Sequence, residues 1–171
     1  MRTLVAYFSR RGINFVAGKM QELKVGNSEV AAKLAAKSCG GELFEIRCAE
    51  DYTFDYRECV ERSKKELTEN ARPELAELPG DMADFGTVVL CYPCWCGTMP
   101  MPVWTFLENC GLSGKRILPL CTNEGSGMGR SEADIKRLCP EAEVEKGLSV
   151  KGSAAAEAGP EIETWLRGFG L

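Results

Sequence analysis

The sequence predicts a doubly wound α/β fold, with five parallel strands in the order 2-1-3-4-5 and helices on both faces. Three observations predict it. Strand-like and helix-like segments alternate along the 171 residues, the pattern of a parallel sheet joined by helical crossovers. The runs Leu4-Val5-Ala6-Tyr7-Phe8 and Thr87-Val88-Val89-Leu90-Cys91 are continuously apolar, as strands buried on both faces are. Polar, glycine-bearing turns follow the first, third and fourth strand-like runs, at the carboxyl ends where ligands bind in such sheets.

The first strand, Leu4 to Phe8, ends at Ser9-Arg10-Arg11-Gly12. Ile13 to Val25 has no firm period but contains Phe15, Val16, Met20 and Leu23, too many apolar residues for a solvated linker, so it reads as an ordered excursion. Gly26-Asn27-Ser28 opens a helix with Asn27 or Ser28 as its N-cap. Val30, Ala31, Leu34 and Ala35 share one face of that helix, and Gly40-Gly41 closes it. Glu42 to Ile46 alternates, as a partly covered edge strand does. Asp51 to Tyr56 is a loop, and Arg57 to Glu69 a charged helix with Val60 and Leu67 toward the core. Asn70 to Asp84, with Pro73, Pro79 and Gly80, is a surface connection.

Phe85 leads into the third strand, and Met101 to Glu108 is a helix with proline in its first turn. Gly111 to Gly114 is a turn before the fourth strand, Arg116 to Cys121. Pro119 inside that strand has no N–H to give a ladder and predicts a bulge or an early end to pairing. Thr122 to Gly129 is a glycine-rich turn, and Ser131 to Leu138 a helix that Pro140 stops. Ala142 to Val144 and Gly147 to Val150 form a short, broken fifth strand. Pro160 to Gly168 is a closing helix with Ile162, Trp165 and Leu166 inward.

Composition narrows the function classes. The length fits a single domain over residues 1–171, with no internal repeat. A net charge of −4 argues against nucleic acid as a main partner. The nine cysteines are odd in number and scattered, which suits a reducing cytoplasm rather than a disulfide scaffold. No apolar run is long enough to span a bilayer and no signal peptide is evident, so a cytoplasmic protein without a membrane partner is expected. The absence of histidine excludes Ser-His-Asp triads, Cys-His pairs and His-ligated metals.

Three turns carry the chemistry. Ser9, Arg10, Asn27 and Ser28 offer hydroxyl, guanidinium and amide donors beside a helix N-terminus, a place for a phosphate; the same residues also serve as an ordinary cap. Tyr92-Pro93-Cys94-Trp95-Cys96-Gly97-Thr98-Met99-Pro100 holds a Trp among small neighbours, suited to a flat aromatic ligand or to a core Trp beside buried thiols. Gly125-Ser126-Gly127-Met128-Gly129 misses the dinucleotide fingerprint because Arg130 breaks the spacing. It reads as a flexible loop or as backbone lying against a ligand ring.

Together the turns resemble the flavodoxin-like family over nearly the whole chain. The resemblance is carried by Tyr7-Phe8-Ser9, Gly26-Asn27-Ser28-Glu29-Val30, the Tyr92 to Pro100 stretch, and Cys121-Thr122-Asn123-Glu124-Gly125-Ser126-Gly127. The insertion between Ser9 and Gly26 looks like the branch in which the phosphate motif is split, and the uninterrupted fifth strand like the short-chain form. The resemblance implies non-covalent FMN. It implies Ser9, Arg10, Asn27 and Ser28 on the phosphate, and Pro93, Trp95, Gly97 and Thr98 along the isoalloxazine, with Trp95 stacked on it. Thr122, Glu124, Gly125 and Gly127 would close the other side, and Cys94, Cys96 and Ser126 complete the set. It also implies that a peptide at Gly97 turns over when the flavin is reduced.

The implied function is electron transfer with redox proteins or small-molecule acceptors. An NAD(P)H-dependent quinone or FMN reductase is the alternative. The rim turns hold Glu124 as their only acid, beside Arg10 and Arg11, which weakens the case for docking onto a basic carrier partner. Cys96 stands where many relatives have an aromatic residue, which would open one flavin face to substrate, and Asn123 where many have His. Two further readings stay open. One is a thiolate metal or dithiol site at Cys91, Cys94, Cys96 and Cys121, although the spacing is not that of a zinc ribbon. The other is a regulatory domain that has kept the fold and lost FMN.

Overall fold

The computed structural model describes residues Met1–Leu171. Its main sheet is parallel throughout. From one edge run β4 (Glu42–Glu45), β1 (Arg2–Tyr7), β5 (Phe85–Pro93) and β6 (Arg116–Asn123). The last place is shared by β7 (Glu143–Val144) and β8 (Leu148–Lys151), both paired with β6. This is the predicted 2-1-3-4-5 order with its fifth strand in two pieces. Side chains alternate between the two faces of the strands. Leu4, Ala6, Val88, Leu90 and Ile117 pack under α3 (Met101–Asn109) and α4 (Ser131–Leu138). Val5, Val89, Cys91, Leu118 and Leu120 pack under α1 (Asn27–Cys39) and α5 (Gly159–Gly168). The edge strand β4 leaves Leu43 exposed, as its alternation predicts.

Several local expectations change. The N-cap of α1 is Gly26, which makes no side-chain capping bond, rather than Asn27 or Ser28. The charged helix α2 (Tyr56–Thr68) is capped by Asp55, whose carboxylate accepts the Glu58 N–H at 2.9 Å. It buries Cys59 and Ser63, while Val60 stays half-buried and Leu67 packs partly against the core. Pro119 does not disturb β5, which pairs with β6 in constant register from Thr87↔Arg116 to Pro93↔Thr122. The missing N–H shows on the far edge: β7 pairs only at Arg116 and Ile117, and β8 begins at Leu120. A 3-10 helix, Gly152–Glu157, which has no apolar period to announce it, joins β8 to α5.

The excursion after Ser9 is a β-hairpin, β2 (Gly12–Val16) with β3 (Lys19–Leu23), separate from the main sheet. Its two-residue turn, Ala17-Gly18, has both φ values positive at 53° and 79°, as a type I′ hairpin turn requires. Neither strand alternates cleanly, so periodicity does not reveal it. Arg10 anchors it. The buried guanidinium donates to the carbonyls of Ile13, Thr53, Phe54 and Asp55 and to Asn14 Oδ1. The Ile13 N–H donates to the Phe54 carbonyl at 3.0 Å. Arg10→Ala strands these acceptors and is expected to cost about 2 kcal/mol in urea unfolding. Arg10→Lys should recover little, since an ammonium lacks the planar fork. Hydrogen exchange should speed up in β2 and β3 and leave β5 protected; unchanged hairpin exchange would place the anchor elsewhere.

Candidate functional site

The turns after β1, β5 and β6 converge on a cavity of about 350 Å³ at the carboxyl ends of the strands, within the range of small-molecule sites. Gly26 shapes its first wall. A Cβ there would lie 2.1 Å from Ser9 Oγ and 2.7 Å from the Arg10 carbonyl, so only glycine lets the strand end and the helix start approach this closely. Ser9 Oγ accepts the Glu29 N–H at 3.1 Å, and the Gly26 carbonyl accepts the Val30 N–H at 3.2 Å. The N–H groups of Asn27 and Ser28 have no acceptor within the helix. They sit at the positive end of its dipole, where an anion is favoured.

Two predicted anion ligands have other work. Arg10 lines the cavity, but its donors are engaged by the hairpin and the 53–55 loop, so it is a strut rather than a free cation. The Ser28 hydroxyl meets Thr122 Oγ1 at 2.7 Å in full burial. That contact ties the first turn to the third.

The second wall is formed by Pro93, Cys94 and Trp95, the last opening the turn Trp95-Cys96-Gly97-Thr98. That turn is closed by Trp95 N–H to the Thr98 carbonyl at 2.8 Å and by the reciprocal bond at 3.1 Å. Cys96 and Gly97 both have positive φ, 53° and 79°. Trp95 satisfies both readings of the sequence. It packs edge-on against Phe8 and Tyr52 with ring centroids 5.2 and 5.1 Å away, and the half-buried ring also lines the cavity.

Helix α4 and the residues before it grip this turn. The Thr98 hydroxyl donates to Asp134 Oδ2 at 2.6 Å, and the Arg130 N–H donates to the Gly97 carbonyl at 2.8 Å. The carbonyl of Gly97 is therefore already held, and the central peptide of the turn is Cys96–Gly97. Cys96, Gly97, Thr98, Gly125 and Gly127 do not line the cavity. Cys96 is exposed to solvent beside Ser63, so its small size opens nothing toward the cavity. Gly125 and Gly127 donate their N–H groups to Asn123 Oδ1 at 3.0 Å each, which shapes the third turn from behind.

Pro93, Cys94, Thr122, Glu124 and Ser126 line the cavity, with Ser9, Asn27 and Ser28. Glu124 Oε2 accepts the Ala17 N–H from the hairpin tip at 3.4 Å, whereas Glu124 Oε1 is buried without a partner. Gly152 leaves room beside it; a Cβ there would lie 2.9 Å from Oε1 and 2.7 Å from Asn27 Nδ2. Sequence reasoning missed Asn14, Phe15, Val16 and Leu23 of the hairpin, and Tyr56, all in the lining. The one signal for them was the density of apolar residues in the excursion.

The thiol group proposed from sequence is not assembled. Cys91 is buried on the α1 face, where burial pushes its thiol up, and Cys96 faces solvent. No three His, Cys, Asp or Glu side chains come together to hold a metal ion. Cys94 and Cys121 remain neighbours. The Cys94 thiol is lowered to about 6, first by a hydrogen bond from Cys121, then by the Ser126 hydroxyl, the Gly97 N–H and the Arg130 charge, against the opposing effect of burial. The same contact, with burial, raises Cys121.

Comparison with known proteins agrees with this architecture. The chain matches the Flavodoxin family model over residues 2–168. A search of curated proteins finds no match. Among solved structures, a candidate flavoprotein from Bacteroides uniformis is 27% identical, with 97% of each chain covered and a TM-score of 0.77. A second, from Bacteroides eggerthii, is 25% identical over 99% of this chain and 98% of that one, with a TM-score of 0.78. A flavoprotein from Lactobacillus acidophilus, solved in complex with FMN, shares the fold at 17% identity, with 91% and 97% of the two chains covered and a TM-score of 0.64. With the family matched along nearly its whole length, and its strands in the order the sheet requires, the chain belongs to the flavodoxin family.

Proposed function

We propose that this protein binds FMN non-covalently in the rim cavity and serves as an electron carrier. The observation that carries the proposal is the shape of that cavity. It runs from the free N–H groups at the start of α1 to the ring of Trp95 and to Pro93. An anionic group fits the first end, by the helix dipole and its unpaired donors. A flat ring fits the second, against an indole already held on edge. Between them, the buried Glu124 Oε1 is an acceptor that needs a donor, which a hydroxyl-bearing chain supplies. FMN has these three parts in this sequence. When bound, it supplies electron transfer in one- or two-electron steps. The residues of the chain bind and orient it and limit access by water.

A reductase acting on small molecules with NAD(P)H is the second reading, and one observation favours it. The exposed rim on the hairpin side carries Arg11, Lys19 and Lys24 against Glu22, not the acidic collar that would dock a basic partner protein.

The purified protein, supplied with FMN, should show a flavin absorbance spectrum, and stepwise dithionite should bleach it. Two separable steps support the carrier. A single two-electron step supports the reductase, with NAD(P)H oxidation by quinones as the next assay. No bound flavin at all overturns the cofactor assignment.

Two substitutions test the ends of the cavity separately by quenching of flavin fluorescence. Trp95→Ala should weaken FMN and riboflavin alike, by about ten-fold or more, since stacking on an aromatic face contributes roughly 1–3 kcal/mol. Gly26→Ala should reduce the preference for FMN over riboflavin, because its Cβ would push Ser9 and the Arg10 backbone away from the start of α1 and so distort the phosphate end.

A further inference from the structure

Behind the cavity wall lies a set of side chains that ligand binding does not use. Trp95 lines the cavity, and its ring meets Tyr52 edge to face, with centroids 5.1 Å apart and planes at 78°. Phe8 packs on both rings, with centroids 5.2 and 5.8 Å away, and holds them in place. Tyr52 is buried, and its hydroxyl donates to Glu66 Oε2 of α2. Glu66 Oε1 accepts from Arg62 Nε at 2.7 Å, and the Arg62 guanidinium lies 3.9 Å from the centre of the Tyr52 ring. Arg62 is itself fixed by the carbonyls of Asp51 and Glu50, at 2.8 and 3.0 Å. Contacts thus run without a break from the cavity, through an indole and a phenol, to a carboxylate.

The other tryptophans and the buried Tyr92 are placed differently. Trp165 packs against Phe169, and Trp104 lies beneath Arg72 and Arg137. The Tyr92 hydroxyl donates to Ser131, a neutral partner. Packing alone would be met by phenylalanine at position 52; the phenol adds a proton that can leave. Burial, and then the bond to Glu66, push the Tyr52 phenol up, so the resting side chain holds that proton. Arg62 opposes positive charge on the ring it covers. An electron therefore leaves Tyr52 readily only when the proton leaves with it, and Glu66 is already in place to accept it.

We propose that Trp95, Tyr52 and Glu66 form a proton-coupled electron relay, which refills the cavity wall when a one-electron oxidant in the cavity takes an electron from Trp95. An oxidised indole is a stronger oxidant than a phenoxyl radical at neutral pH, so the transfer runs downhill. One electron passes from Tyr52 to the Trp95 radical cation across their ring contact. The phenolic O–H bond breaks and its proton joins Glu66 Oε2. Trp95 is restored, Tyr52 becomes a neutral phenoxyl radical and Glu66 a carboxylic acid, with net charge unchanged. A thiol reductant in solution then returns the electron, and Glu66 returns the proton. The transfer itself needs no cofactor. The source of the oxidant rests on the FMN reading above, since a light-excited flavin takes single electrons from indole.

The flavin-free protein tests the transfer directly. A pulse of azide radical removes one electron from tryptophan side chains, and indolyl and phenoxyl radicals absorb at separate wavelengths. The indolyl signal should decay in step with a rise of phenoxyl, at a rate independent of protein concentration. Tyr52→Phe and Trp95→Phe should each abolish this phase. Glu66→Gln should slow it by about a hundred-fold, the contribution of a positioned base, and deuterium oxide should slow it in the wild type. With FMN bound and under continuous light, Tyr52→Phe should accumulate oxidised Trp95 faster than the wild type, as read by peptide mass spectrometry.

An indolyl signal that lasts as long in the wild type as in Tyr52→Phe overturns the relay. A fast phase indifferent to both deuterium oxide and Glu66→Gln overturns Glu66 as the proton acceptor. Equal oxidation of Trp95 under light in the two proteins overturns the role at the cavity wall. Absence of FMN binding refutes the cofactor reading instead, and leaves the azide measurement to judge the relay.

Discussion

Everything at the rim depends on three parallel strands being buried on both faces. β1, β5 and β6 fill their interiors with Leu4, Val5, Ala6, Val88, Val89, Leu90, Leu118 and Leu120, all but inaccessible to solvent. Such strands have no solvated face on which to put polar groups, so the chemistry is displaced to their ends. Because the strands run the same way, the ends at which the chain leaves toward a helix all lie on one side. The pairing of Tyr7 with Cys91, and of Pro93 with Thr122, brings the first, second and third turns level with one another. The site is a by-product of the ladder: Pro93 and Thr122 are its last rung, and most of the other lining residues lie in the turns beyond it, free to specialise.

Specialisation produces a division between residues that face the cavity and residues that hold them. The Ser28–Thr122 hydroxyl pair and the Thr98–Asp134 contact are fully enclosed and spend their polarity on each other. Arg10 is the extreme case. It is a cation in the lining whose donors are taken by backbone carbonyls, so it positions the wall and keeps its charge but has no donor left for a ligand. What is left to face a ligand is mostly neutral: amide N–H groups, small hydroxyls, an indole and one carboxylate oxygen without a donor.

The sheet order and the three turns were legible in the sequence because each rests on a local rule. Apolar runs mark buried strands, and Gly26 and Pro102 mark helix starts. The hairpin was not legible. Neither Gly12–Val16 nor Lys19–Leu23 alternates cleanly, and the hairpin is held by Arg10, whose contact to Thr53 is 43 residues distant in sequence. The placement of Cys96, Gly97 and Thr98 outside the cavity lining was not legible for a related reason. A motif tells which residues form a turn, but the grip of α4 on that turn, through Arg130 and Asp134, decides which of them face inward. Pro119 was expected to break pairing, and it does so only toward β7 and β8, since a proline removes one donor and a strand has two sides.

The separate pairing of the hairpin has a kinetic consequence. β2 and β3 bond to each other and not to the main sheet, so this wall can swing away without breaking any rung of the central ladder. Entry and departure of whatever fills the cavity then have their own barrier, set by one arginine, the Ile13 N–H and the Ala17–Glu124 contact. At Arg10 residence time and global stability change together, whereas the Ala17–Glu124 contact at the hairpin tip offers a place to alter the first with little effect on the second.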